Sequence, residues 1–277
     1  MNIQAALDYA YSELVSEESK IDARYLLSFV LDRNFVWLKT WPDKSLTEKQ
    51  IIQFEKLIVR RNQGEPIAYI TGEKDFWTLT LKTNSSTLIP RAETEILVEQ
   101  ALESLEEYQT AKVLDLGTGT GAIGLAIASE RKKDLVFACD LESDAVQLAK
   151  LNAEKNNVGN IEIFQSDWFS RVEKTDFDLI VANPPYIVKD DPHLTQGDLI
   201  FEPDSALISD ENGFADIKKI IHQATGYLSN QGALMIEHGF EQGNQVRELF
   251  TASGYTQVKT IQDLSKLDRV TMGTVRC

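Results

Sequence analysis

The sequence predicts an α/β fold, a mostly parallel sheet with helices on both faces, preceded by a small helical domain and a short β-hairpin. Three observations predict it. From about residue 91, short apolar runs alternate with amphipathic stretches, the pattern of parallel strands joined by crossover helices. Asp115-Leu116-Gly117-Thr118-Gly119-Thr120-Gly121 stands between one such run and a helix start. The run Phe177-Asp178-Leu179-Ile180-Val181-Ala182 is stopped by Asn183-Pro184-Pro185-Tyr186.

Residues 1–73 read as helices. Ile3, Leu7, Ala10 and Leu14 recur at helical spacing, as do Ala23, Leu26, Leu27, Val30 and Leu31, then Ile51, Phe54, Leu57 and Ile58. Ser45-Leu46-Thr47-Glu48 offers helix-start chemistry for the last group, and Arg61-Asn62-Gln63-Gly64-Glu65-Pro66 ends it. With nine Lys/Arg against eleven Asp/Glu, this segment is near balance and reads by pattern as a helical domain without chemistry of its own. Residues 74–90 contain the alternating stretch Asp75-Phe76-Trp77-Thr78-Leu79-Thr80-Leu81, bounded by Gly72 and Asn84-Ser85-Ser86, and predict a linking strand pair.

Residues 91–277 then predict strands at Lys112–Leu116, Leu135–Cys139, Ile161–Phe164, Phe177–Ala182 and Ala233–Glu237. Helices are expected at Gly121–Ser129, Ser143–Asn156, Ile217–Leu228 and Gln242–Ala252, and a closing strand pair at Thr256–Ile261 and Arg269–Val275.

Bulk composition narrows the function. The chain has 28 Lys/Arg against 43 Asp/Glu, a net charge of −15. An acidic surface with no Lys/Arg-rich run speaks against gripping a phosphate backbone, so no direct nucleic-acid binding is expected. Of the two cysteines, Cys139 lies in an apolar run and reads as a buried thiol, and Cys277 is the last residue. No disulfide framework or metal-spaced cluster is present, so the expectation is a cytoplasmic protein without a metal. No signal-peptide pattern opens the sequence and no stretch approaches a membrane span.

The chemistry lies at strand ends. Glycines at Gly117, Gly119 and Gly121, with Thr118 and Thr120 between them, let a ligand approach the main chain where a helix start offers free N–H groups. Gly117-x-Gly119-x-x-Ala122 by itself also fits a dinucleotide fingerprint. Asp140, 19 residues past Gly121, suits two ribose hydroxyls, and Ser166-Asp167-Trp168 pairs a carboxylate with an aromatic ring suited to an adenine. At Asn183-Pro184-Pro185-Tyr186 the prolines end strand pairing and stiffen the corner. The Asn183 side-chain oxygen, the Pro184 carbonyl and the Tyr186 ring then suit a planar –NH2 group. The three histidines, His193, His222 and His238, show no catalytic spacing, which favours methyl transfer to a nitrogen over hydride transfer. The acceptor stays open at this point: an exocyclic amine of adenine or guanine, a side-chain amide of a ribosomal protein, or another amide. A cofactor-sensing module without catalysis is the alternative of a different class.

Further stretches carry a resemblance. The glycine loop with Asn183-Pro184-Pro185-Tyr186 looks like the Rossmann-like class I S-adenosylmethionine-dependent amino-methyltransferases. Gly64-Glu65-Pro66-Ile67-Ala68-Tyr69-Ile70-Thr71-Gly72, Ile89-Pro90-Arg91-Ala92-Glu93-Thr94-Glu95, and Phe201-Glu202-Pro203 with the later Gly213 are similar to segments of the release factor glutamine methyltransferases, the PrmC/HemK family. Ala92 stands where that family usually has proline. The resemblance runs nearly full length. It implies methylation of the glutamine side-chain amide in the Gly-Gly-Gln motif of class 1 peptide release factors, with S-adenosyl-L-methionine as donor and S-adenosyl-L-homocysteine as product. It further implies a substrate-gripping role for residues 1–73. Asn183, Pro184 and Tyr186 become the expected catalytic corner, with Pro185 beside them at the substrate, and Gly117–Gly121, Asp140, Trp168 and Asn183 the expected cofactor contacts. Arg91 is expected either to order its loop or to line the site, and Glu237 is a weaker candidate.

Overall fold

Apolar residues at helical spacing need a partner surface, and the first part of the chain supplies its own. The computed structural model describes residues 1–275; Cys277, for which no structural role was expected, lies outside the described residues. The chain divides into two units. One is Met1–Glu73 together with Thr195–Phe201, and the other is Lys74–Leu194 together with Glu202 onward.

In the first unit, α1 (Ile3–Glu13), α2 (Ser19–Leu31), α3 (Phe35–Thr40), α4 (Glu48–Asn62) and α5 (Ile67–Thr71) enclose Ile3, Ala10, Leu26, Leu27, Leu38 and Phe54. Thr47 starts α4 through a capping box with Gln50, as its position predicts. Asp22 is buried and accepts hydrogen bonds from Arg61 Nε at 2.7 Å and Ser16 Oγ at 2.7 Å. Arg61 Nη1 also stands 3.6 Å from Asp198, in the stretch Thr195–Phe201 that groups with this unit. α3 and α5 go beyond the sequence expectation; with six and five residues, neither spans enough turns to show a period.

The second unit opens with the hairpin β1 (Glu73–Phe76) and β2 (Leu79–Lys82). A 3-10 turn, Ala92–Thr94, leads into α6 (Glu95–Ser104), a helix outside the sequence expectation. Then follow β3 (Lys112–Leu116), α7 (Ala122–Glu130), β4 (Leu135–Asp140), α8 (Ser143–Lys155), β5 (Ile161–Gln165) and β6 (Phe177–Ala182). After β6 come α9 (Asp204–Leu207), α10 (Asp210–Gly213), α11 (Ala215–Ala224), β7 (Leu228–Glu237), α12 (Gly243–Ala252), β8 (Thr256–Gln262) and β9 (Asp268–Thr274). The large sheet has strand order β5-β4-β3-β6-β7-β9-β8, parallel except that β9 runs antiparallel to both its neighbours. Side chains alternate across it. Val113, Leu179, Val181 and Met235 face α6 and α7, whereas Leu114, Leu116, Ile180 and Leu234 face α11 and α12.

One expected boundary is corrected. The helix at Ile217–Leu228 stops at Ala224, because Gly226 and Tyr227 turn back onto Gln223 and Ala224 and the Tyr227 carbonyl accepts from Phe177 N. Leu228 therefore begins β7, five residues before the expected strand, with an irregular register at that end. No described helix is long and apolar enough to cross a membrane.

Chain order places the functional corner. From β3 the chain winds outward through β4 and β5, then returns to lay β6 on the other side of β3. Ligands bind at such a reversal, outside the carboxyl ends of the strands. Leu116 is paired with Ala182 there, so Gly117 and Asn183 leave the sheet from adjacent strand ends.

Candidate active site

Asp115, on β3 and fully buried, braces the glycine loop. Its Oδ2 accepts from Thr118 Oγ1 at 2.6 Å and from Gly124 N at 2.9 Å, while Oδ1 has no partner. Burial pushes its pKa up to about 6 against those two donors. The N–H groups of Gly117 and Thr118 both donate to the Cys139 carbonyl at 2.9 Å, tying the loop to β4. Gly117 has φ +70°, and a Cβ there would stand 3.2 Å from Trp168 Cζ3. Glycine is thus required for backbone conformation and for the approach of the indole.

Asp140 ends β4. Its Oδ2 accepts from Gly119 N at 2.8 Å and its Oδ1 from Glu142 N at 3.0 Å. Burial raises its pKa, opposed by those backbone donors. Trp168 follows β5, with Nε1 donating to Asp216 Oδ1 at 3.2 Å, and Asp167 pairs with Lys219 at 2.8 Å. Asn183 follows β6 and donates from Nδ2 to Thr94 Oγ1 at 3.3 Å.

These strand ends surround one cavity of about 260 Å³. Gly117, Thr118, Gly119, Thr120, Asp140, Trp168, Asn183 and Pro185 line it. Gly121, Pro184 and Tyr186 do not. Gly121 faces α7 and α8, where a Cβ would meet Leu125 and Ala149. Pro184 is buried beneath the corner. Tyr186 stands behind it, its carbonyl accepting from Gln242 Nε2 at 3.2 Å, with burial pushing its pKa up to about 12 against the opposing charges of Arg269 and Arg91.

The family of this fold is decided by comparison. Residues 5–72 match the model of the PrmC N-terminal domain, and residues 92–213 that of the methyltransferase small domain. A release factor glutamine methyltransferase of Aliivibrio fischeri is 48% identical over 277 residues, covering 99% of this chain and 97% of the relative. One from Shewanella oneidensis is 50% identical, covering 98% and 95%, and one from Escherichia coli is 47% identical, covering 99% of both chains. The chain belongs to the release factor glutamine methyltransferase family. Among solved structures, a Pyrococcus furiosus methyltransferase has TM-score 0.53 at 18% identity, covering 79% of this chain and 98% of that one. A Thermus thermophilus 16S rRNA N2 methyltransferase, in complex with AdoMet and guanosine, has TM-score 0.53 at 19% identity, covering 74% of this chain and 50% of that one. These two establish the class I methyltransferase fold.

Within a member of this family, several residues around the cavity have no expected role or only an open one. Arg91 meets both of its alternatives. It lines the cavity, and its Nη2 lies 2.5 Å from Glu202 Oε2, while Glu202 Oε1 accepts from Ile89 N at 2.9 Å. Pairing with Glu202 therefore fixes the Ile89-Pro90-Arg91 segment along the rim. Thr94 also lines the cavity and touches Asn183. Both lie in the quoted Ile89–Glu95 segment, but their partners are distant in sequence, so only the fold shows what they do.

Proposed function

We propose that this chain methylates the side-chain amide nitrogen of the Gly-Gly-Gln glutamine of class 1 peptide release factors, at the cavity shared by the glycine loop and the Asn183 corner. The observation that carries it is the pairing of Leu116 with Ala182, which sets Gly117 and Asn183 on one cavity wall in a chain of this family. S-adenosyl-L-methionine, when bound, supplies a methyl group activated by a sulfonium centre. The residues present fit it. Asp140 retains acceptor capacity toward a ribose diol beyond its two backbone bonds. Trp168 offers an aromatic face for adenine, and the backbone at Gly117–Thr120 suits the amino-acid portion.

An amide nitrogen is a poor nucleophile because its lone pair is shared with the carbonyl. In this reading Asn183 Oδ1 accepts a hydrogen of the substrate amide and holds the nitrogen in line with the transferred methyl. Orientation of this kind contributes as much as ~7–11 kcal/mol in well-aligned reactions. Acceptors aimed at the positive charge developing on nitrogen add electrostatic stabilisation. The methylated nitrogen is acidic and loses its proton afterwards, so no strong base is needed. Pro185 lines the cavity beside the amide, and Tyr186 stiffens the corner from behind.

Incubation with labelled S-adenosyl-L-methionine tests this. A release factor should take the label. The same factor with its glutamine replaced, a ribosomal-protein mixture and DNA should not. Label in DNA but not in the release factor would refute the assignment.

A further inference from the structure

Glu237 ends β7 at 2% exposure, with Oε2 lacking any hydrogen-bond partner. A buried carboxylate with a bare oxygen is costly and needs a reason. The register supplies its surroundings. Ala182 pairs with Ile236, so Asn183 and Glu237 come next on adjacent parallel strands, directly under the corner. Thr94 completes the group. Asn183 Nδ2 donates to Thr94 Oγ1 at 3.3 Å, and both Thr94 and Asn183 favour the charged form of the Glu237 carboxyl beside them.

An asparagine amide has a donor end and an acceptor end, and a half-turn exchanges them. The role assigned to Asn183 needs Oδ1 toward the cavity. An ionised carboxylate accepts hydrogen bonds and donates none. It attracts Nδ2 and repels Oδ1, so the flipped amide is excluded. We infer, resting on that role for Asn183, that Glu237 and Thr94 are positioning residues that lock the Asn183 amide with Nδ2 inward and Oδ1 presented to the substrate.

The groups facing Glu237 come from each element around it. Arg269 on β9 favours its charge, and Glu93 in the 3-10 turn opposes it. Tyr186 in the corner is electrostatically coupled to it. His238, next on the strand, is engaged with Gly239 O and Thr271 Oγ1. The balance, dominated by burial, pushes Glu237 up to about 7. Once protonated, the carboxyl donates as well as accepts and no longer selects one amide orientation. Turnover should therefore rise through neutral pH as Glu237 ionises.

Kinetics on release factor with six variants test the lock, each checked for folding by circular dichroism. Glu237→Gln should lower kcat about tenfold or more, leave cofactor affinity by calorimetry within about twofold, and remove the acid limb of the kcat profile near neutral pH. Asn183→Asp sets a second carboxylate against Glu237 and should lose about a hundredfold; adding Glu237→Gln should restore at least about tenfold of that, because the glutamine Nε2 donates to Asp at 183. Thr94→Val should lower kcat and Thr94→Ser should keep it, which preserves the test if Glu237→Gln folds poorly. Wild-type kcat and pH profile in Glu237→Gln, or a double variant no better than Asn183→Asp, overturn the proposal. Asn183→Ala separates the two levels. Wild-type turnover there removes the role of Asn183 itself, whereas a dead Asn183→Ala beside an unaltered Glu237→Gln removes only the lock.

Discussion

Asp140 bonds the loop on its own side of the cavity and faces the cavity at the same time. Its two oxygens hold Gly119 N and Glu142 N, so the carboxylate fixes the glycine loop and the start of α8 before any ligand is considered. Removing it therefore has two consequences that different measurements separate. Asp140→Ala should weaken S-adenosyl-L-methionine binding about a hundredfold, since each hydrogen bond to a charged group contributes ~1.5–3 kcal/mol. It should also lower Tm, because two backbone donors lose their acceptor. Asp140→Asn keeps an acceptor oxygen and the shape but loses the charge, and should fall between the two in calorimetry. Wild-type affinity in Asp140→Ala would leave Asp140 a structural brace only. Asp115 sits one step further from the cavity. It does not line the cavity, yet Thr118, which does, takes its orientation from Asp115 Oδ2. The Asp-x-Gly spacing quoted from the sequence thus combines a buried brace with an exposed backbone.

At the scale of elements, the corner is held by the chain that follows it. Ile187 N donates to Leu207 O, and Ser209 N donates to Ile187 O, which clamps the exit from Tyr186. Gly213 at the end of α10 has φ +85°, and a Cβ there would collide with the Tyr186 carbonyl. Gly213→Ala must therefore displace backbone directly behind Pro185. The expected outcome is a fall in kcat of tenfold or more, about 1.4 kcal/mol per tenfold, with cofactor affinity nearly unchanged. Equal losses in both would place the damage at the whole cavity instead. The hairpin makes a second case. β2 has a free edge, and Asn152 on α8 pairs it by accepting from Lys82 N at 2.6 Å and donating to Lys82 O at 3.0 Å. The same Asn152 Nδ2 donates to Thr120 O at 2.8 Å. Asn152→Ala should cost about 2–3 kcal/mol, read as a lower denaturation midpoint, because buried partners are left unpaired. Such contacts mark what sequence could and could not disclose. Strands β3 and β6 were legible because both of their faces are buried and apolar residues dominate each run. The end of α11 was not, since a pairing between β6 and Tyr227 decides it. The strand-end residues Gly117, Asp140, Trp168 and Asn183 were legible because parallel strands bring their carboxyl ends to one edge. Thr94 with Asn183 and Arg91 with Glu202 are joined across 89 and 111 residues, and no local pattern announces such pairs.

Over the whole molecule, buried carboxyls set how stability responds to pH. Glu237 is raised from 4.5 to about 7 and Asp115 from 3.8 to about 6. In both, the folded state binds the proton more tightly than the unfolded chain. Between about pH 4 and 7 the unfolded chain therefore carries fewer protons, and stability falls as pH rises. His238, whose pKa burial lowers, works the other way by losing stability on acidification, as do Asp263 and Asp268, whose pKa values hydrogen bonds depress. The net charge of −15 adds self-repulsion on the alkaline side of the pI near 4.7. The raised carboxyls and growing repulsion outweigh one imidazole over pH 5–8, so stability should decline across that range. Glu237→Gln removes one contributor. Its stability relative to the parent chain should increase from pH 5 to pH 8 by about 2–3 kcal/mol, most of the linkage of a shift that size. Urea denaturation at fixed pH steps measures it, followed by a probe in the second unit because the chain has two. Parallel curves for the two proteins would mean that Glu237 does not titrate in this range, and the acid limb expected in turnover would then need another group. A diverging pair of curves, with Glu237→Gln the more stable and the slower enzyme at pH 8, would mean that the fold bears the cost of a charge at the end of β7 because that charge keeps the Asn183 amide facing the right way.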